Sequence, residues 1–231
     1  MPRPPRFFLP GYPLHVVQRG HNKTKVFFGP EDAKAYMTWL GEGAARYGVQ
    51  VHAYVLMTNH VHLLVTPETA QSLPMAMRHV NWRFSSRANE VRGRTGSLWE
   101  GRYRASVVDA EPYFFACSQY IELNPVRAGL SASPAAYRWS SYRANAEGKA
   151  DPLLTPHPLY ETLGSDTQAR AAAYRSLFEG SFPEDSLSAI RTAINGCWAL
   201  GAPGFVALMS RHAGRPMAVR KRGRPPMSAT K

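Results

Sequence analysis

Read for its hydrophobic and polar positions, the chain separates into short β-rich runs and longer stretches of helical period. Tyr12 to Arg19 is apolar and β-branched enough for a strand, and it leads into the polar loop Gly20 to Lys25. Pro30 to Tyr47 is helical. Its apolar face is Tyr36, Trp39, Leu40 and Ala44, its first turn holds Glu31 and Asp32, and Gly48 follows its end. Val51 to Pro67 consists of two β-rich halves around Thr58-Asn59, a polar pair suited to a tight turn, so it reads as an antiparallel hairpin. Residues 72–92 form a second helical stretch with several arginines, 93–101 a loop, and 103–108 a short fourth strand. A third helix runs from about Glu111 to Leu123. It stops at Asn124-Pro125, because a residue before proline is pushed out of the α region.

The order β-α-β-β-α-β, followed by a helix, predicts an α+β fold of the ferredoxin-like or RRM-like kind: an antiparallel sheet with two helices on one face. Successive side chains on a strand point to opposite faces. Val61, Leu63 and Val65 are therefore expected under the helices, and His60 and His62 on the other face, which is left free for chemistry. After Leu130 the texture changes. Residues 131–159 are rich in Pro, Ser and Ala and read as ordered but irregular chain anchored by Trp139 and Tyr142. Residues 167–179, 184–195 and 203–213 read as three short helices. The expected organisation is a main domain over 1–145, a small helical C-terminal appendage over 146–213, and a basic tail over 214–231.

Charge narrows the partner. The net charge is +12, and no acidic residue follows Asp185 although eight basic ones do. Between positions 71 and 108, seven arginines face only two glutamates. A polyanion is the expected partner, and the preference for Arg favours phosphate or base-edge contacts through its planar fork. No run approaches the roughly 20 apolar residues of a membrane span, and Met1 to Arg6 lacks the apolar segment of a signal peptide. A cytoplasmic, nucleoid-associated protein with no membrane partner is expected. Cys117 and Cys197 lie far apart without a CxxC partner, which indicates neither a disulfide framework nor a zinc knuckle.

Two neutral imidazoles on one strand face make half of a metal site, although a His pair on a strand is also ordinary decoration of a solvated face. The third helix holds Tyr113, Cys117, Tyr120 and Asn124 at spacings that share one helix face. A tyrosine and an amide one turn apart suggest Tyr120 as a nucleophile and Asn124 as the missing oxygen ligand; buried aromatic rings are the plainer alternative. With open coordination positions, Mg²⁺ or Mn²⁺ suits phosphate chemistry.

Asn59-His60-Val61-His62-Leu63-Leu64-Val65, with Tyr120-Ile121-Glu122-Leu123-Asn124-Pro125-Val126-Arg127 downstream, resembles the single-tyrosine HUH transposases, which cut and rejoin single-stranded DNA. Leu98-Trp99-Glu100-Gly101-Arg102-Tyr103 and Trp139-Ser140-Ser141-Tyr142 support the likeness. The tail, with Lys221-Arg222-Gly223-Arg224-Pro225, is similar to the branch called REP-associated tyrosine transposases, which act on hairpin-forming extragenic palindromes. The resemblance implies that 1–145 is the catalytic domain. It further implies His60, His62 and Asn124 as metal ligands and Tyr120 as a nucleophile forming a 5′-phosphotyrosine link; Tyr113 is the alternative. Insertion-sequence relatives often carry Gln where Asn124 stands.

The DNA-contacting candidates are Arg19, Asn22 and Lys25 in the first loop, Arg83, Arg87, Arg102 and Arg104 in the middle of the chain, and Arg220, Lys221, Arg222 and Arg224 in the tail. The expected partner is single-stranded or hairpin DNA, bound by a monomer or a homodimer. A nucleic-acid-binding protein or regulator without turnover is the other reading, against which the presence of all four site residues argues.

Overall fold

The computed structural model describes residues 7–218; Arg220, Lys221, Arg222 and Arg224 lie outside them. Four strands, β1 (Leu14–Arg19), β2 (Val49–Leu56), β3 (His60–Pro67) and β4 (Arg104–Val107), form one antiparallel sheet in the order β2-β3-β1-β4. The helices are α1 (Pro30–Tyr47), α2 (Ser72–Val91), α3 (Ala110–Glu122), α4 (Asn124–Arg127), α5 (Tyr142–Glu147), α6 (Pro158–Glu161), α7 (Thr167–Ser176), α8 (Glu184–Gly196) and α9 (Pro203–Ala213). The α+β class and the split β-α-β-β-α-β order follow the sequence reading.

Local chemistry sets the boundaries. Pro30 opens α1, where its missing N–H costs nothing, and Gly48 closes it at φ 64°, its N–H donating to the Ala44 carbonyl. Thr58 and Asn59 form the two-residue hairpin loop, closed by Met57 N–H donating to the His60 carbonyl at 2.8 Å. The loop between β1 and α1 clamps that turn: Gly20 N–H donates to the Asn59 carbonyl at 2.8 Å, and Val26 N–H to the Thr58 carbonyl at 2.9 Å. At Asn124-Pro125 the chain breaks α3 as expected but resumes at once as the single turn α4.

Both faces of the sheet are covered, and this departs from the expected free face. Val16, Val61, Leu63 and Val65 on the first face pack against Tyr36 and Leu40 of α1 and Val80 and Phe84 of α2. On the second face Ala53, Val55 and Leu64 pack against Phe114, Cys117, Tyr120 and Ile121 of α3 and Leu187, Ile190 and Ala193 of α8. The apolar Val55 and Leu64 on that face need cover, and α3 and α8 supply it, each buried side chain contributing about 1.5–3 kcal/mol. The segment 146–213, expected as an appendage, thus fills the second core through α8, and Met209 of α9 is buried in the first. A bulge between Val51 and Ala53 turns His52 onto the second face, where Nε2 meets Thr66 Oγ1 at 2.8 Å and Nδ1 meets the Thr155 carbonyl at 2.7 Å. The outer edge of β2 is shielded by the irregular chain at Trp139–Ser141: Leu56 N–H donates to the Trp139 carbonyl and Ser141 N–H to the Tyr54 carbonyl.

Glu122 ties α3 to the later helices. It is wholly buried, accepting from Ser141 Oγ, Asn145 Nδ2 at 3.0 Å and Tyr174 Oη at 2.9 Å. Burial pushes its carboxyl from 4.5 up to about 7, against the opposing pull of those three donors. A carboxyl raised on folding stabilises the fold fully below 4.5 and loses that contribution as the pH climbs to about 7. Glu122→Gln should remove this dependence. The stability of the wild type relative to the variant, from urea denaturation between pH 5 and 8, should fall by roughly 3 kcal/mol at most as pH rises to about 7 and then level off. A difference that stays flat with pH would contradict it.

Candidate active site

The second face of the sheet brings together residues far apart in the chain. His60 and His62 stand two apart on β3, a strand held by neighbours on both sides, and their ring centroids are 5.0 Å apart. α3 crosses this face and carries Tyr120 to a centroid distance of 5.7 Å from His62, in an edge-on arrangement. Asn124 follows as the first residue of α4. All four line one cavity of about 490 Å³, and all four come from the same chain.

Hydrogen bonds fix which atoms face the cavity. Asn59 Nδ2 donates to the Lys23 carbonyl at 2.8 Å, so its Oδ1 is the atom 2.6 Å from His60 Nδ1 and accepts from that ring. His60 Nε2 is then left with a free lone pair. His62 Nδ1 lies 2.9 Å from Nε2 of His15, which again leaves Nε2 of His62 outward. Asn124 donates its Nδ2 to the Tyr120 carbonyl at 2.9 Å, and its Oδ1 remains as an acceptor. Burial lowers His60 to about 4, helped by the Arg19 charge, and holds His62 well below its ordinary value. Burial thus favours the neutral form of both imidazoles, the form in which an imidazole can bind a cation. Among the described residues no group of three His, Cys, Asp or Glu could hold a metal, so a third donor beside the two histidines would be of another kind. Two imidazole nitrogens and an amide oxygen fit a divalent ion with open positions.

Tyr120 is itself only 7% exposed. The Arg127 guanidinium lies 4.4 Å from its ring centroid and donates to its backbone carbonyl at 2.5 Å. A cation is thus held against the ring face of the one tyrosine that lines the cavity. Tyr113 packs at the margin of the second core and does not line the cavity.

The basic candidates divide. Arg19, Arg102 and Arg104 line the cavity, joined by Lys23 and by Arg191 of α8, against the single carboxylate of Glu100. Asn22 and Lys25 sit exposed on the first loop without lining it. Arg83 and Arg87 are carried by α2 on the other side of the sheet. Arg83 there donates to Glu42 at 2.9 Å and lies over Trp39. The physical reason is the helix register: Val80, Phe84 and Ala88 bury against the first face, and the arginines beside them point away from the second.

Sequence reasoning missed His15, Arg127 and the α8 pair Arg191 and Asn195. Asn195 Oδ1 accepts from Arg104 at 2.9 Å and so links α8 to β4 at the cavity wall. Strand register brings in His15 and the packing of α8 brings in Arg191 and Asn195, and neither is written locally, whereas Arg127 stands seven positions after Tyr120, a spacing the sequence does show.

The loop bearing Arg19 and Lys23 turns at Gly20, where a Cβ would come 2.5 Å from the Thr24 carbonyl oxygen and 2.7 Å from Val26 Cγ1. Gly20→Ala should therefore lower stability by about 1–3 kcal/mol, as overpacking does. Thermal melting decides it, and an unchanged midpoint would show that the loop absorbs the methyl.

Residues 10–124 match the family model described as IS200-like transposase. No curated protein matches. The fold is similar to that of a solved REP-associated tyrosine transposase bound to a REP hairpin, at 15% identity and a TM-score of 0.55, covering 68% of this chain and 93% of that one. A crystal structure from Deinococcus radiodurans, provisionally named a transposase, aligns at 21% identity and a TM-score of 0.37 over 52% of this chain and 95% of that one. Through the domain that residues 10–124 build, the chain belongs to the IS200-like transposase family.

Proposed function

We propose that the protein cuts and rejoins single-stranded DNA at hairpin-forming repeats, with Tyr120 as nucleophile and a divalent ion, Mg²⁺ or Mn²⁺, held by His60, His62 and Asn124. The observation that carries this reading is the meeting of Tyr120 with the two buried imidazoles of His60 and His62 in one cavity lined by arginines. In the first step the Tyr120 phenolic oxygen bonds to the scissile phosphorus and the bond to the 3′ oxygen breaks. The phenolic proton leaves to solvent and the departing oxygen gains one. A 5′-phosphotyrosine and a free 3′-hydroxyl result. Attack of another 3′-hydroxyl on phosphorus reverses these changes and releases Tyr120, which rejoins DNA without an external energy source. The ion, when bound, supplies Lewis-acid polarisation of a phosphate oxygen.

This chain's own residues do the rest. Arg127, over the Tyr120 ring, opposes the negative charge that gathers on phosphorus and phenol. Arg19, Arg102, Arg104 and Arg191 offer sites for neighbouring phosphates. Nucleophile and ligands meet within one chain, so the cleavage proposed is in cis, whether the protein is a monomer or a homodimer. The likeness to a fold solved with a hairpin supports the choice of a hairpin substrate, and the basic residues 220–224 are proposed to hold its stem.

Tyr120→Phe should abolish both cleavage and the covalent adduct on a denaturing gel while DNA affinity stays within a few fold. An adduct that persists in Tyr120→Phe and disappears in Tyr113→Phe would move the nucleophile. His60→Ala or His62→Ala should reduce cleavage by at least 100-fold at any Mg²⁺ concentration, on the order of losing a main electrostatic contribution. Full activity in excess EDTA would remove the metal from the account. Deleting 219–231 should weaken hairpin binding and flatten its salt dependence by roughly 0.7–0.9 in log–log slope for each phosphate left unneutralised. An unchanged slope would place the hairpin elsewhere.

A further inference from the structure

His15 is a buried polar group against His62 and Tyr120 to which the reaction gives no part. It sits on β1 with 1% of its surface exposed and does not line the cavity. The register sets Val17 opposite His62 and His15 opposite Leu64, so His15 is the diagonal neighbour of His62 on the second face. Its ring lies edge to edge with that of His62, nearly parallel to it at 24° and 5.1 Å between centroids, and meets the edge of Tyr120 at 5.6 Å and 70°. His15 Nε2 and His62 Nδ1 are 2.9 Å apart. Two neutral imidazoles can share only one hydrogen across that gap. If His15 donates it, the hydrogen of His62 stands on Nε2 and blocks the nitrogen that faces the cavity. If His62 donates it, Nε2 keeps its lone pair.

We propose that His15 is a positioning residue that accepts a hydrogen bond from His62 Nδ1–H, and so fixes the His62 tautomer and ring orientation in which Nε2 is open to a divalent cation. His60 gains the same outcome from the Asn59 amide oxygen, but His62 points into the protein, where β1 offers an imidazole in place of a carbonyl or carboxylate. The partner of a metal-binding histidine is ordinarily such an acceptor, and its loss costs about 10–100-fold in metal affinity. His15 is not a third ligand, because its Nε2 is already engaged by His62 and its ring is closed off from the cavity. Because it bonds to His62 and packs against Tyr120, it also sets the spacing between the cation-binding and nucleophilic sides of the site. The inference rests on the proposed metal reading, and the experiment separates the two.

Full-length protein labelled with ¹⁵N in its histidines reports the tautomer directly, with His62 assigned from the resonance lost in His62→Gln. The proposal requires Nδ1–H on His62 in the metal-free wild type; Nε2–H there overturns it. Mn²⁺ titration followed by electron paramagnetic resonance, without DNA, tests the consequence. His15→Leu should weaken Mn²⁺ binding about tenfold or more, whereas His15→Gln, whose carbonyl reaches the position of Nε2, should bind within about threefold of wild type. Equal affinities in wild type and His15→Leu, or equal losses in both variants, would overturn the proposal. Should His15→Leu not fold, the wild-type tautomer and the His15→Gln affinity decide. If the wild type binds no Mn²⁺, the metal reading falls, and the tautomer alone decides the part given to His15.

Discussion

The period of two along β3 is the constraint on which the rest depends. Val61, Leu63 and Val65 must enter the core under α1 and α2, and this sends His60, His62 and Leu64 to the opposite face. A slip of one residue would turn both histidines under α1 and α2 and set Val61, Leu63 and Val65 on the face of α3 and the cavity. The strand cannot slip cheaply, because it is central and paired on both edges, and because its turn at Thr58-Asn59 is bound by the loop from Gly20 to Phe27. The same forces that build the core therefore aim the imidazoles.

The second constraint is the placement of α3. Phe114, Cys117 and Ile121 bury its apolar stripe against Val55 and Leu64, and this presses Tyr120 onto the histidines rather than toward solvent. Glu122, one position past Ile121, points the other way into a closed polar network with Ser141, Asn145 and Tyr174. A buried carboxylate is costly unless every lone pair finds a donor, so this network locks the helix to α5 and α7 in one orientation. α5 and α7 thus act on the site without lining its cavity. α8 goes further, since it covers the second face and adds Arg191 and Asn195 to the cavity wall.

Much of this was legible in the chain. The strand and helix order and the hairpin turn could be read from alternation, from helix spacing and from the Asn-Pro stop, whereas the grouping of His60, His62, Tyr120 and Asn124 was implied by the resemblance to the single-tyrosine HUH transposases, since spacing alone left buried aromatic rings as the plainer alternative. What could not be read depends on non-local register. His15 is one of several histidines until β1 is aligned against β3. Arg83 and Arg87 resemble Arg102 and Arg104 in sequence, and only the burial of Val80 and Phe84 shows that α2 turns them away from the cavity. The open face expected from two helices on one side was filled because Val55 and Leu64 leave it too apolar to face water. Short α8, ordinary in sequence, is the element that fills it.

The central claim is that Tyr120 alone forms the covalent link to DNA, within one chain and beside the histidine pair. The most direct measurement is peptide mass spectrometry of the full-length protein after incubation with a single-stranded hairpin substrate and Mg²⁺, followed by nuclease and protease digestion. The account predicts a nucleotide mass on the peptide containing Tyr120, localised to that residue by fragmentation. A nucleotide on Tyr113 or on any other side chain, or cleaved DNA with no modified peptide, would contradict it.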